Sequence, residues 1–562
     1  MKNCNMKKII FFLLVSLLFS FFSCKKSLTE KDFEVFIKKY EKKLVPLQQD
    51  LSFETFNAAI SGSDKDYKKV AEVKIKLTKF YSNKEDFELI ESLKKQNVVK
   101  DKILIRELEE IYNEYLLHQV KEDKMEEIIL LSKKIEQKYN TFRAKLSDEE
   151  LTDNDIDSRL ANSNDPQELE AVWKASKQVG NLIANDMIKL VKMRNASARS
   201  IGFKNFHDMK LILSGQDPKK IDAIYKELDI LTKDVYSSLK DEVDEYLSSF
   251  YKIEVNKLRP WHYQSRFFQN APNIYEVNFD EYFTGKDIVL FAKNYFSSIG
   301  LNIESILSKS HLYEQSGKSQ FSGAFNIDRN GDVRILANIK DNHSSMYIIL
   351  YETAFAVCQK DVDKKLPFSL RLPSHFIIND GVATFFSNFS YRSLWLRNAI
   401  KIPKEDAKNM KITCDKRFRL AKFIFSRWAQ VMYNFEKNLY KNPDQDLNKL
   451  WWNLVEKYQK IKRPENRNEP DWATKAHFTT QACTYHNYML GELLAAQLHN
   501  YISENILDEN DTLELSKNKK IGEFFIEKVF KPGKSLTWEE LIKEVTGEEL
   551  TANYFKIKYI NL

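Results

Sequence analysis

A single charged residue interrupts an apolar run in the middle of the chain. Residues 348–357 contain neither Gly nor Pro, and Glu352 is the one charged side chain among them. About three turns of such sequence predict a buried helix. A buried carboxylate without a partner is strongly destabilising or takes up a proton. We therefore expect Glu352 to have either a partner or a chemical task.

The position of Glu352 suggests the task of a zinc-peptidase helix. In the H-E-x-x-H pattern, two His four residues apart bind the metal, and the Glu between them activates water. Here those two positions hold Tyr351 and Phe355. Neither is a zinc ligand of the usual kind. The chain thus keeps the carboxylate of the pattern and lacks both imidazoles.

The segments around this helix match a known peptidase family. Residues 366–375 lead into a second predicted helix, which contains Asp380 and Ala383. Further matches lie in the same order at residues 172–177, 194–195, 259–263, 267–269, 331–334, 471–473 and 485–492. Together these segments resemble peptidase family M2, the bacterial relatives of peptidyl-dipeptidase A and the angiotensin-converting enzymes.

The resemblance implies a fold and a set of site residues. The fold would be all-α: a mostly helical, two-lobed zincin-like peptidase with a deep cleft and one small β-hairpin. The family's second helix supplies a Glu as third zinc ligand, and the matching position here is Asp380. His477, Tyr485 and Tyr488 match family donors that stabilise the oxyanion, with one residue more between the His and the first Tyr than in mammalian members. Residues near 322–324 match a strand that pairs with the substrate backbone.

The elements that would position these residues can be predicted from pattern. With 14 Gly and 12 Pro in 562 residues, the chain has few tight turns and reads as mostly helical. Residues 25–147 have a helical rhythm, and a long helix is predicted from an N-cap at Asp165 to Gly202. Two β-patterned runs flank Asn330-Gly331, which predicts a hairpin over residues 321–337. We take residues 24–562 as one domain with two lobes.

The N-terminus has the form of an export signal. Three lysines precede an apolar run over residues 9–22, and Ser23 and Cys24 follow it. The run is shorter than the roughly 20 residues that a spanning helix needs. We predict a lipoprotein signal over residues 1–23 with the lipid on Cys24, and a membrane anchor on the periplasmic or cell-surface side. The alternative is ordinary cleavage, in which Cys24 has no special role.

Charge and cysteine content exclude other classes of function. Removal of residues 1–23 takes away three lysines and no acids, so the formal net charge falls from +7 to +4. No basic stripe interleaved with aromatic residues is present, so we expect no nucleic-acid partner. The remaining cysteines, Cys358, Cys414 and Cys483, are widely spaced and imply neither a disulfide nor a C-x-x-C metal site.

Three functions remain open. The first is a non-catalytic membrane-anchored protein with a peptide-binding cleft and no cofactor, in which Glu352, His477, Tyr485 and Tyr488 are vestigial. The second is an active zinc peptidase with altered ligands, for which His375 together with Glu352 and Asp380 is a conceivable set. The third is a helical scaffold lipoprotein without a ligand.

Overall fold

The N-terminal helices form an apolar cluster of their own. The structure, a computed structural model, describes residues 27–508, 512–513 and 517–560. Its first helices are α1 Glu30–Ser61, α2 Asp64–Tyr81, α3 Lys84–Gln96, α4 Lys102–Leu117 and α5 Glu122–Thr141. Phe33, Tyr40 and Tyr115 are buried in the cluster that α1–α4 share, and Phe368 from a later loop packs into it. We call helices α1–α4 the N-terminal cluster.

A short hairpin that the sequence analysis missed follows α5. Strand β1 is Ala144–Leu146 and strand β2 is Glu149–Leu151, and the two are antiparallel with Leu146 opposite Glu149. The prediction of helix up to residue 147 is therefore wrong at its end. The two-residue turn uses Ser147 in the left-handed region, at φ 55°. Without Gly or Asn at that position, the sequence carries no standard hairpin signal.

The long helix predicted from Asp165 is two helices. The next elements are α6 Asp153–Asn162, α7 Pro166–Ser176, α8 Gln178–Ser200, α9 Phe206–Leu213 and α10 Pro218–Tyr251. The Asp165 carboxylate accepts a hydrogen bond from the Gln167 amide at 2.9 Å, as expected of an N-cap. The helix is interrupted at Lys177, whose amide donates to the carbonyl of Lys174 rather than one residue further back. A tighter turn of this kind ends the α-helical pattern.

The predicted hairpin is present with shorter strands. Helices α11 Ile288–Ser298 and α12 Glu304–Leu307 precede strands β3 Gly323–Asn326 and β4 Val333–Leu336. The strands are antiparallel, with Gly323 opposite Leu336. Gly331 has φ 107° in the connecting turn, a conformation that favours glycine. The Asn-Gly signal thus placed the turn correctly.

The apolar run of residues 348–357 lies inside a helix, as predicted. This helix is α13 His343–Lys360, and α14 Phe376–Ser387 is the predicted second helix. The Asn342 side chain caps α13 by accepting from the Ser345 amide at 2.8 Å. His375 caps α14 by accepting from the Ile377 amide at 3.1 Å. The two helices pack against each other.

The C-terminal part completes the helical fold. Its helices are α15 Ser393–Trp395, α16 Lys404–Lys441, α17 Leu447–Gln459, α18 His477–Thr480, α19 His486–Asn505, α20 Lys519–Phe524, α21 Trp538–Thr546 and α22 Asn553–Ile560, with π-helical turns at Leu396–Ile400 and Phe525–Phe530. Short 3₁₀ turns lie at Val255–Lys257, Pro260–Tyr263, Asp280–Tyr282, Phe368–Leu370, Asn388–Tyr391, Asp471–Thr474 and Gly533–Ser535. A large apolar core runs from α5 to α22.

Helices α14 and α19 approach each other closely because of two glycines. A Cβ on Gly381 would lie 2.7 Å from Leu494 Cδ2, and a Cβ on Gly491 would lie 2.0 Å from Asp380 Oδ2. Both distances are far below van der Waals contact. The absence of side chains at these positions therefore lets α14 lie directly against α19.

The all-α prediction is confirmed. The described residues are mostly helical, and they form two small antiparallel sheets rather than the one expected. Cys358, Cys414 and Cys483 are buried and free. Within the described ranges, no helix has the length and apolar character needed to cross a bilayer. Residues 1–23 and Cys24 lie outside the described residues, so the signal and lipid predictions stay predictions.

Candidate functional site

The predicted site residues meet in one cavity. Its volume is about 670 Å³, and its walls come from α13, α14, α16, α19 and the segment that precedes α19. Glu352, Asp380, His477, Tyr485 and Tyr488 all line it. These residues come from four separate parts of the sequence, and the fold brings them together as the resemblance implied.

Tyr351 and Phe355 share one face of α13, as their spacing requires. Their rings are stacked, with centroids 6.3 Å apart. The Tyr351 hydroxyl donates a hydrogen bond of 2.5 Å to Asp380 Oδ1. Phe355 presents only hydrocarbon, and its other ring neighbour is Phe376 at 6.1 Å. The two positions are thus filled by aromatic packing and one hydrogen bond to the acid of the second helix.

Glu352 lies in the wall of the cavity without a partner. Glu352 is 9% exposed, and burial raises the pKa of its carboxyl to about 7. Among the residues that the structure describes, no group donates a hydrogen bond to it or forms an ion pair with it. Glu352 therefore has the burial expected of it but not the partner.

Asp380 is more deeply buried than Glu352. It is 2% exposed, and burial raises its pKa to about 8 although the hydrogen bond from Tyr351 opposes the rise. Its second oxygen lies against the backbone of Gly491. Next to it, Glu492 forms a buried ion pair with Lys422, and Lys422 also donates to Asn388 Oδ1 at 2.7 Å.

His477, Tyr485 and Tyr488 form an aromatic group in the lining of the cavity. The His477 and Tyr485 ring centroids are 5.1 Å apart, and those of Tyr485 and Tyr488 are 5.5 Å apart. Trp428 Nε1 donates to the Tyr485 hydroxyl at 2.7 Å. Burial lowers the pKa of His477 to about 4, so its imidazole is neutral at pH 7. The three side chains can donate hydrogen bonds or stack, but His477 contributes no charge.

The sequence analysis missed a buried cation in the same cavity. Lys475 lines the cavity and is 8% exposed, and its Nζ donates to Gln269 Oε1 at 2.8 Å. Burial lowers its pKa to about 7. Within the described ranges it forms no ion pair; the ring centroids of Phe267 and Trp428 each lie 5.3 Å from its Nζ. Its place two residues before His477 was the available signal.

Two buried side chains, Arg194 and Glu436, hold the segment that carries His477 and Tyr485. Arg194 donates to the carbonyls of Phe478 and Thr479 at 3.1 Å and 2.8 Å. Glu436 accepts from the Cys483 amide at 2.7 Å. Cys483 itself has φ 61°, which costs a non-glycine residue backbone strain. The segment is therefore fixed by contacts rather than by regular helix.

The residues at the family's ligand positions do not fit a zinc ion. Zinc sites need three or four N, S or O ligand atoms at about 2.0–2.3 Å, whereas Phe355 has no such atom and the Tyr351 hydroxyl donates a hydrogen bond to Asp380. In the described part of the chain, no three His, Cys, Asp or Glu side chains are grouped as metal ligands. His375, considered as a replacement, uses Nδ1 to cap α14.

Strand β3 overlaps residues 322–324, which the resemblance matches to a strand that pairs with the substrate backbone. Its hydrogen-bonded neighbour is β4, and α13 packs nearby. Phe321, just before the strand, is 87% exposed. The strand lies beside α13, and its role in binding stays a prediction.

Comparison with known proteins gives consistent matches. The profile of the Peptidase_M2 family, described as angiotensin-converting enzyme, matches residues 27–560. The chain is 22% identical over 454 residues to angiotensin-converting enzyme of Mus musculus, which covers 72% of this chain and 33% of that protein. It is 25% identical over 258 residues to carboxypeptidase 1 of Bacillus subtilis (strain 168), and the match covers 41% of this chain and 51% of that protein.

A third relative matches a shorter segment. The angiotensin-converting enzyme-like protein Ace3 of Mus musculus is 27% identical over 167 residues, which is 28% of this chain and 22% of that protein. The matched segments thus span between about a fifth and a half of the length of these relatives.

Proposed function

Because this chain belongs to the Peptidase_M2 family, that of angiotensin-converting enzyme, we propose that it is a catalytically inactive relative of the zinc peptidyl-dipeptidases that binds peptides. One observation carries the proposal. The ligand positions on α13 hold Tyr351 and Phe355, and the Tyr351 hydroxyl is bonded to the acid at the third position, Asp380. The chain thus has a cavity at this place but lacks the two His that bind zinc in the H-E-x-x-H pattern.

The loss of donors is large on the energy scale of zinc binding. Structural zinc in small peptides is bound by about 10–16 kcal/mol. Shared crudely among the ligands, two missing imidazoles remove on the order of 6–10 kcal/mol. The shorter carboxylate at Asp380 weakens what is left. Glu352 has no metal-bound water to activate, so hydrolysis has no nucleophile of the family's kind.

Peptide binding is supported by the groups that line the cavity. Lys475 is a buried cation without a carboxylate partner in the described residues, and Tyr485 and the Gln269 amide lie beside it. A buried charge without a partner is costly, and a carboxylate of a bound peptide would supply that partner. The cavity volume of about 670 Å³ lies within the range of small-ligand sites.

We further propose that the protein is exported and held on a membrane by a lipid on Cys24, on the periplasmic or cell-surface side. The support is the sequence alone: an apolar run too short to span, followed by Ser23 and Cys24. Two acyl chains suffice for stable anchoring, whereas one does not.

Zinc content tests the loss of catalysis. The wild type, purified without chelators, should hold no zinc by elemental analysis, and the triple variant Tyr351→His, Phe355→His, Asp380→Glu should hold about one zinc per chain. The control replaces two other aromatic residues of the cavity, Tyr391→His and Phe425→His, and should stay zinc-free.

The same samples distinguish the alternatives. Stoichiometric zinc in the wild type, with peptide cleavage that a chelator stops, would identify an active peptidase with altered ligands and overturn the proposal. Failure of the wild type to retain any peptide would leave a helical scaffold.

A further inference from the structure

The acidic and basic side chains in the cavity are unevenly distributed. Where α13, α14 and α19 meet, Glu352, Asp380 and Glu492 line the wall together with one base, Lys422. Lys422 is already engaged by Glu492 and Asn388. The other Lys and Arg of the lining are Lys475, which lies beside Gln269 and Tyr485, and Arg417, which donates to the Val277 carbonyl at 3.0 Å. Acids therefore outnumber bases at the end of the cavity that contains Glu352.

Two buried carboxylate groups at this end have unused acceptor atoms. Glu352 is 9% exposed and has no hydrogen-bond partner among the described residues. Glu492 Oε2 is buried and lacks a partner as well. An unpartnered carboxylate facing a cavity is stabilised by a cation that enters it.

Aromatic rings complete this end of the cavity. Tyr347 stacks on Tyr351 with centroids 6.3 Å apart, and the Tyr488 ring lies edge-on to Phe376 at 5.5 Å. Tyr347, Tyr351 and Tyr488 line the cavity directly. Carboxylates combined with tyrosine faces are the chemistry by which proteins recognise organic ammonium groups. Tyr351, at a position where the H-E-x-x-H pattern has an imidazole, thus supplies a ring that suits a different cation.

Resting on the proposed peptide-binding function, we propose that a primary ammonium group of the bound peptide sits against Glu352, between Tyr351 and Tyr488. The expected source is the α-ammonium, with the peptide's carboxylate at Lys475. The ligand class is then a short peptide with both ends free, oriented by its two charges. A hydrated divalent metal is not needed at this position.

The distance between Lys475 and Tyr488 suits a peptide of two or three residues. From Lys475 Nζ to the Tyr485 centroid is 5.6 Å, and from there to the Tyr488 centroid is 5.5 Å. An extended residue spans about 3.5 Å. A dipeptide or tripeptide is therefore long enough to reach from Lys475 to Tyr488.

The test is affinity selection with two tripeptide libraries. The full metal-free chain is incubated with random tripeptides that have free termini, or with the same library N-acetylated, and the retained peptides are identified by mass spectrometry after gel filtration. We expect acetylation to reduce retention at least tenfold. Acetylated peptides that are retained only when they contain lysine would assign the ammonium to a side chain instead of the N-terminus.

Two variants test whether Glu352 causes the preference for peptides with a free N-terminus. Glu352→Gln should lose the preference, so that free and acetylated peptides are retained alike. Glu107→Gln is the matched control, because Glu107 is also a buried glutamate but lies in α4 and bonds Ser369; it should behave as the wild type does. Retention of both libraries alike by the wild type would overturn this inference and leave the proposed function standing. Retention of neither library would overturn the proposed function itself.

Discussion

Glu352→Gln should change how stability depends on pH. The pKa of Glu352 is about 7 in the fold against an ordinary value of 4.5, because burial penalises the charged form. Below pH 4.5 the carboxyl is protonated in both the folded and the unfolded chain, so it has no effect on stability there. Between pH 4.5 and 7 the unfolded chain loses this proton while the folded chain keeps it, and the free energy of unfolding falls.

The size of the effect follows from the two pKa values. A difference of one in pKa corresponds to 1.36 kcal/mol. The free energy of unfolding of the wild type therefore falls by about 3 kcal/mol between pH 4.5 and 7 because of this group. Above pH 7 both states are ionised and the loss stays constant. Gln carries no titrating proton, so the variant lacks this loss. Asp380, Lys422 and Lys475 are present in both proteins and largely cancel in the difference.

Urea unfolding, followed by tryptophan fluorescence, measures this difference. The free energy of unfolding of the variant minus that of the wild type should rise by about 3 kcal/mol from pH 4.5 to pH 7.5. The exposed Glu254, changed to Gln, is the control and should give a flat difference. A flat difference for Glu352→Gln in ligand-free protein would refute a buried, unpartnered carboxylate at this position.

Two further predictions concern the anchor and the packing of α14 on α19. Cys24→Ser should move the protein from the membrane fraction to the soluble fraction or leave it unprocessed; wild-type protein in the soluble fraction, with its mature end elsewhere, would contradict the lipid. Gly491→Ala places a Cβ 2.0 Å from Asp380 Oδ2 and should lower the free energy of unfolding by about 1–3 kcal/mol. Gly323→Ala is the control, because its added Cβ would lie 3.6 Å from the nearest atom, and its free energy of unfolding should change by no more than about 0.5 kcal/mol. Urea unfolding measures both variants, and equal losses for the two would contradict the close approach of α14 and α19.

The fold was predictable wherever the signal is local. The apolar run in α13, the Asp165 cap and the Asn330-Gly331 turn depend on neighbours in sequence, and all three were identified correctly. The hairpin turn at Ser147 was not, because a serine in the left-handed region gives no sequence signal. Likewise the break at Lys177 depends on a tighter local turn in a sequence with full helical character.

The site was predictable only in part because its partners are distant in sequence. The grouping of Glu352 with Asp380, Tyr485 and Tyr488 could be inferred from the resemblance. The hydrogen bond from Tyr351 to Asp380 and the contact of Asp380 with Gly491 depend on how closely three helices approach. Gly381 and Gly491 permit that approach, but the sequence does not show which helices will meet, so these contacts of Asp380 emerged only from the structure.

The N-terminal cluster gives the proposed lipid anchor a mechanical consequence. Five residues separate Cys24 from the start of α1 at Glu30, and extended chain spans at most about 3.6 Å per residue. The cluster would then be tethered within roughly 20 Å of the bilayer. The cluster is bonded to the loop before α14: the Phe368 amide donates to Glu41 at 2.9 Å, and the Ser369 hydroxyl to Glu107 at 2.6 Å. Part of any tension on the tether would therefore reach, through these two bonds, the segment that leads into α14, the helix that carries Asp380.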